Sequence, residues 1–224
     1  MQRDSSRVWR ALFVGGGLIY FVGAFFHPRG GGMAGMLVDP AWIPSHTAVF
    51  VGVLLITIGL VFFRRSSRVS PKMERWLDFT IITAILETVE MGLHTMAYVD
   101  AGALAHGPLH GGLATPVLTI HIWMATLVYT PFAVAMIGLI LMGQRERTLG
   151  SPWISWLGLV AAVAHGSVMW LVVVFQVDGA GILFPIYALS LSLWFILAGV
   201  WPNRQPAEKR ASDEQAVGAT LVRS

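Results

Sequence analysis

Residues 77–99 read LDFTIITAILETVEMGLHTMAYV, and the reading of this stretch decides the fold. It is long enough to cross a hydrocarbon core of about 30 Å as a helix, yet it carries Glu87, Glu90 and His94. At about 100° per residue these three fall within roughly 60° of one another, on one helix face. A carboxylate in hydrocarbon costs on the order of 3 kcal/mol on insertion scales, so such groups turn toward other protein and usually have a task. The stretch predicts a membrane helix with a polar inner face, and the rest of the chain is expected to enclose that face.

Five further apolar stretches are available for this, at residues 11–26, 46–63, 116–142, 153–177 and 182–201. Most approach or exceed the roughly 20 residues that a spanning helix needs. The first is the shortest and follows basic residues, so a cleaved signal peptide is its rival. No small-x-small cleavage site follows Phe26, and the stretch is read as a helix. The expected fold is therefore all-α: a polytopic integral membrane protein with a six-helix transmembrane domain over residues 1–203. A polar tail over residues 204–224 is expected to be cytoplasmic and disordered.

Composition agrees. The chain is 55% hydrophobic and 12% charged, with a mean hydropathy of +0.68, too little charge for an ordinary soluble domain. A pI near 9.7 raises nucleic acid as a partner, but the basic residues flank apolar spans and no nucleic-acid motif is present. Of the 15 Lys and Arg residues, 14 fall on one side of the predicted spans and only Arg29 on the other. The positive-inside rule then places both termini in the cytoplasm, in a bacterial inner membrane. Cysteine is absent, which removes disulfides, thiolate metal sites, iron–sulfur ligation and covalent c-type haem.

The outer connections are then residues 28–45, 100–115 and 178–181, each with one aspartate: Asp39, Asp100 and Asp178. The first two are Gly-rich, as suits loops folded back over a bundle. Three helical hairpins form a weak pseudo-repeat, their returning helices sharing a proline near the outer end (Pro44, Pro116, Pro185) and an apolar run ending in Arg (Arg64, Arg145, Arg204). Trp42, Trp153, Trp156 and Trp201 sit where an interfacial aromatic belt is expected. Gly15, Gly16 and Gly17 lie inside the first span and read as close helix packing rather than a phosphate loop.

Seven histidines are distributed unevenly over this topology. His27 and His46 bracket the first outer connection, and His106 and His110 lie in the second. At 1.5 Å per residue, His94 and His121 both lie roughly 7–8 Å inside the outer boundary. Glu90 is deeper and is expected level with His165, with Glu87 one turn deeper still.

Three readings follow. The first is a transition-metal site of copper, zinc or iron, with His94, His121 and Glu90 as ligands. His165 and Glu87 would lie beneath and His27 and His46 at the entry, in redox or metal-handling work. Met33, Met36, Met91 and Met96 would add soft sulfur. The second is a b-type haem held by His94 and His121, with Gly92 and Ala125 making room and a quinone or membrane redox partner implied. The third has no cofactor: either an ion-coupled relay through the carboxylates, or a scaffold in which Thr83, Thr88, Thr119, Thr126 and Ser167 satisfy them.

Other chemistry is excluded. His165-Gly166-Ser167 lacks a nucleophile elbow, no Lys lies within a span for a retinal Schiff base, and no helical HxxxH array supports a di-iron site.

Overall fold

The computed structural model describes residues 2–30, 32–66, 69–105 and 115–201, and among these there is no strand. Six long helices carry the fold: α1 (Gln2–Phe25), α2 (Trp42–Ser66), α3 (Pro71–Met96), α4 (Pro116–Arg145), α5 (Pro152–Met169) and α6 (Leu183–Val200). Each packs on its neighbours in sequence, and α6 returns to α1, so the six close into a ring.

Local chemistry sets the ends. The Ser70 hydroxyl accepts the Met73 N–H at the start of α3, with proline in the first turn, and α4 and α5 also begin with proline in their first turn. A proline there gives up an N–H that would have no helical partner. Arg64 and Arg65 close α2, and Arg145 closes α4, where cations suit the negative end of the helix dipole. Two of the three loop aspartates hold backbone N–H groups at or just ahead of helix starts. Asp39 Oδ1 accepts the Ala41 N–H at 2.7 Å beside α2, and Asp100 Oδ2 accepts the Leu118 N–H at 2.8 Å in the first turn of α4.

Among the described residues, five helical segments are long and apolar enough to cross a membrane: Arg7–Phe25, Trp42–Arg65, Pro116–Arg145, Pro152–Val174 and Ala180–Val200. The last of these begins in a short 3-10 turn (Ala180–Ile182), and Pro152–Val174 ends in a π-helical turn (Trp170–Val174). The helix that decided the sequence reading, α3, is not among the five. Its first turns hold Lys72, Glu74, Arg75 and Asp78, and its middle holds Glu87 and Glu90. Those charges are sorted by face, however. Ile82, Ile85, Leu86 and Val89 point outward and are exposed, while Thr80, Thr83, Glu87 and Glu90 are buried. The same inversion holds around the ring, where Leu18, Val22, Leu127, Val160 and Val163 are more than half exposed and His46, His121 and His165 are buried.

Glycine brings α1 close to its neighbours. A Cβ on Gly16 would lie 2.8 Å from the Gly52 carbonyl oxygen of α2, and one on Gly17 would lie 2.8 Å from the Ser192 carbonyl oxygen of α6. Gly15 faces open space, so two of the three consecutive glycines serve the packing read from sequence.

Arg64, Arg65, Lys72, Arg75 and Arg145 gather at one end of the bundle. Arg64 of α2 bonds Glu74 at 3.1 Å and Asp78 at 2.8 Å on α3. Ser70, ahead of α3, donates to Glu146 at the end of α4 through both its hydroxyl and its N–H. His27, His46, His94 and His121 gather at the opposite end.

Candidate functional site

Helix geometry brings four imidazoles together. His46 stands one turn into α2, His94 is in the last turn of α3, His121 is in the second turn of α4, and His27 follows α1. Their rings touch in series: His27 to His46 at 4.6 Å between centroids, His46 to His94 at 4.4 Å, and His94 to His121 at 3.9 Å, stacked. Beneath them, Glu90 Oε1 lies 2.5 Å from His121 Nδ1, and the Glu90 side chain is fully buried.

The hydrogen bonds decide which ring nitrogen carries the proton. His27 Nδ1 is 2.8 Å from the Pro28 carbonyl oxygen, and His46 Nδ1 is 2.7 Å from the Trp42 carbonyl oxygen. A carbonyl oxygen only accepts, so each Nδ1 donates and the neutral ring keeps its lone pair on Nε2. Glu90 and His121 share a proton between Oε1 and Nδ1, so this contact alone does not fix the His121 tautomer. Two of the four imidazoles are thus held Nδ1-protonated by a carbonyl oxygen. His46 Nε2 and His94 Nδ1 are buried with no hydrogen-bond partner among the described residues.

Among the described residues, two groups of three bring their ligand atoms within 4.8 Å of one another: His27, His46 and His94, and Glu90, His94 and His121. His94 belongs to both. Burial, reinforced by the charge of Arg29, holds the His27 pKa below its ordinary 6.5 despite the opposing hydrogen bond to Pro28. At neutral pH this ring is therefore an uncharged donor.

A second layer lies deeper, and here the structure corrects the expected levels. His165 Nε2 is 3.3 Å from Glu87 Oε1, so His165 is level with Glu87 rather than with Glu90. Counting from the basic end at 1.5 Å per residue explains the difference. His165 is about 20 Å along α5 from Pro152, Glu87 is about 24 Å along α3 from Pro71, and Glu90 is about 28 Å. The imidazole of His165 stacks on Tyr129 at 4.1 Å and meets Tyr187 edge-on at 4.5 Å. Tyr20 and Glu87 line a cavity of about 10 Å³, room for one water at most.

Several sequence expectations resolve differently. The hydroxyls proposed to satisfy the carboxylates bond their own helices instead: Thr83 to Phe79 O and Thr80 O, Thr88 to Ala84 O, Thr126 to Ile122 O, and Ser167 to Val163 O. Thr119 is exposed. The carboxyl groups face His121 and His165 instead, with Tyr129 also reaching Glu90. Gly92, read as room for a macrocycle, faces the Phe50 ring, 3.7 Å from where a Cβ would stand. Met91 and Met36 pack into apolar clusters, while Met33 and Met96 are exposed. His106 and His110, the second outer connection around them and the tail after residue 203 lie outside the described residues.

Sequence reasoning missed the aromatic walls of the site. Trp42, read as an interfacial anchor, is 1% exposed and stacks on His46 at 3.9 Å, while its Nε1–H donates to Thr95 O at 3.3 Å. Trp153, Trp156 and Trp201 are exposed, as an aromatic belt requires. The i, i+4 spacing of Trp42 and His46 on one helix was the available signal. Nothing in the local sequence around Tyr20, Tyr129 or Tyr187 marks them as neighbours of the buried carboxylates. Comparison with protein-family models, with curated proteins and with solved structures finds no match to this chain.

Proposed function

We propose that this is a six-span membrane protein that binds a transition-metal ion at the histidine end of its ring and works in metal handling or redox chemistry. The sixth span is α3, its charges turned inward and its lipid-facing side apolar. The basic end faces the cytoplasm with both termini, in a bacterial inner membrane, and the site opens toward the other side.

One observation carries the reading. His27 and His46 each give Nδ1–H to a carbonyl oxygen, which leaves Nε2 of each neutral ring as a lone-pair donor within a cluster that also holds His94, His121 and Glu90. An oxygen acceptor on the second nitrogen is the usual support of a metal-bound imidazole, because it fixes the tautomer and raises ligand basicity. Nitrogen ligands about 2.0–2.1 Å from an ion stand at most ~4 Å apart, so groups within 4.8 Å need only small rotamer changes to close on one. Three or four imidazoles and a carboxylate suit zinc, iron(II) or copper(II). The ion makes first contact with the partly exposed His27 and passes to the buried Glu90 group through His94, which serves both.

Haem fits less well. Two axial imidazoles need a planar macrocycle between them, whereas His94 and His121 are already stacked ring on ring at 3.9 Å. The test is elemental analysis and an absorption spectrum of detergent-purified protein. Near-stoichiometric zinc, copper or iron without a Soret band supports the metal reading, and a Soret band lost in His94→Ala and His121→Ala moves the site to haem.

A cofactor-free proton relay is favoured by a different observation, the continuation of the polar column to His165, Glu87 and Tyr187. If the purified protein holds no metal and takes up none, proton flux in liposomes that Glu87→Gln abolishes would establish the relay instead.

A further inference from the structure

At the basic end, an open groove of about 400 Å³ is lined by Lys72, Arg75, Trp76 and Phe79 of α3 and by Met142 of α4. The four α3 residues are spaced i, i+3, i+4, i+7, so they form one stripe on the helix. The stripe is graded. Its two cations stand at the end nearest the bundle's rim, and Phe79 lies about 10 Å deeper. The groove has a rigid floor, because Trp76 lies directly on Gly138 of α4. Any Cβ at Gly138 would stand 2.2 Å from the indole ring.

The charges on α3 are also sorted. Glu74 and Asp78 both bond Arg64. Lys72 and Arg75 have no carboxylate partner among the described residues, and both side chains are exposed. Two uncompensated cations above an aromatic and aliphatic slot match one molecule: a phosphodiester headgroup with its acyl chain running down toward Phe79 and Met142. Basic pockets between helices on the cytoplasmic side of a membrane protein take such headgroups.

We propose that this groove is a binding site for an anionic phospholipid, held by Lys72 and Arg75 at the headgroup and by Trp76, Phe79 and Met142 along the chain. The inference rests on the bilayer reading of the fold and is independent of the metal site.

The test is native mass spectrometry of the full chain released from detergent with phosphatidylglycerol or phosphatidylcholine added, with inorganic phosphate as the third probe. One phosphatidylglycerol is expected to be retained about thirtyfold more strongly than phosphatidylcholine, from two cations near the membrane surface. Lys72→Ala/Arg75→Ala should abolish that preference, and Arg7→Ala, an exposed cation of α1, should leave it intact. Phe79→Ala should weaken retention of both lipids without restoring parity between them. Equal retention of the two lipids, or loss of preference in Arg7→Ala as well, overturns the proposal. So does inorganic phosphate displacing the lipid at equal concentration, which would make the cations a free-anion site. A chain that needs no detergent at all fails the bilayer reading itself, an outcome distinct from an embedded chain that shows no lipid preference.

Discussion

His94 is the one residue common to both groups of candidate ligands, so His94→Ala is the sharpest perturbation of the site. Structural zinc bound by four side chains is worth about 10–16 kcal/mol at neutral pH, or about 2.5–4 kcal/mol per ligand if shared evenly. Losing His94 should then weaken binding by about 10²- to 10³-fold, whichever group the ion occupies. His27→Ala removes a ligand only from the outer group and Glu90→Gln only from the inner one. Each should cost less than His94→Ala if the ion divides its time between them. Glu90→Gln also loosens the hold on His121 Nδ1, a supporting contact worth about 10- to 100-fold in affinity. The assay is competition for zinc against a chromophoric chelator in detergent, with helical content and elution volume confirming that each variant is folded. A folded His94→Ala protein that binds zinc within threefold of the native chain would refute the reasoning. So would an equal loss in Arg7→Ala, far from the site.

Three other outcomes follow from the geometry. In the metal-free protein, the His27 pKa lies below its unfolded value near 6.5, so its contribution to stability is intact above that pH and declines as pH falls from about 6.5 toward the folded value. His27→Asn should flatten that part of the thermal-stability profile between pH 7 and 5, and an unchanged slope counts against it. Gly52→Ala places a Cβ 2.7 Å from Tyr20 N and 2.8 Å from Gly16 O, which pushes α1 from α2. It should cost about 1–3 kcal/mol, whereas Gly15→Ala, facing open space, should be neutral or stabilising by up to about 1 kcal/mol; equal effects in thermal unfolding would be inconsistent with this packing. Ser70→Ala removes both the α3 cap and the hydroxyl bond to Glu146, and should lower stability by about 1–2 kcal/mol, with no change in metal affinity.

Much of the arrangement was legible in the sequence because two regular periods govern it. The 100° step placed Glu87, Glu90 and His94 on one face, and the 1.5 Å rise placed His94 beside His121, where their rings indeed stack. The same rise failed for His165 when it was measured from an assumed bilayer boundary, and it succeeds when measured from the helix starts at Pro71 and Pro152, which the structure supplies. The hydroxyl partners were misjudged for another reason. Inside a helix, a Thr or Ser side chain reaches the carbonyl four residues back without ordering anything else, so Thr88, Thr126 and Ser167 were committed before any carboxylate could recruit them. Trp42 was misassigned because its hydropathy is the same whether it anchors an interface or walls a site. Only its contact with Thr95 of α3 tells which, and that is tertiary information.

The tautomers connect the fold to its proposed chemistry. A buried acceptor without a partner costs about 1–3 kcal/mol, and a ring of six helices has no reason to assemble several of them at one place unless something shared satisfies them. A proton can satisfy only one or two of the facing nitrogens, and the carbonyls of Pro28 and Trp42 already hold Nδ1–H on the two outer rings, so a further proton on either must go to Nε2. A divalent ion satisfies three or four at once and also balances the charge of Glu90. The two cases differ in proton bookkeeping: zinc entering a cluster of neutral imidazoles should release less than one proton per ion in buffers of different ionisation enthalpy. Release of two or more would mean that the cluster had been holding protons, and the relay reading would then take precedence over the metal.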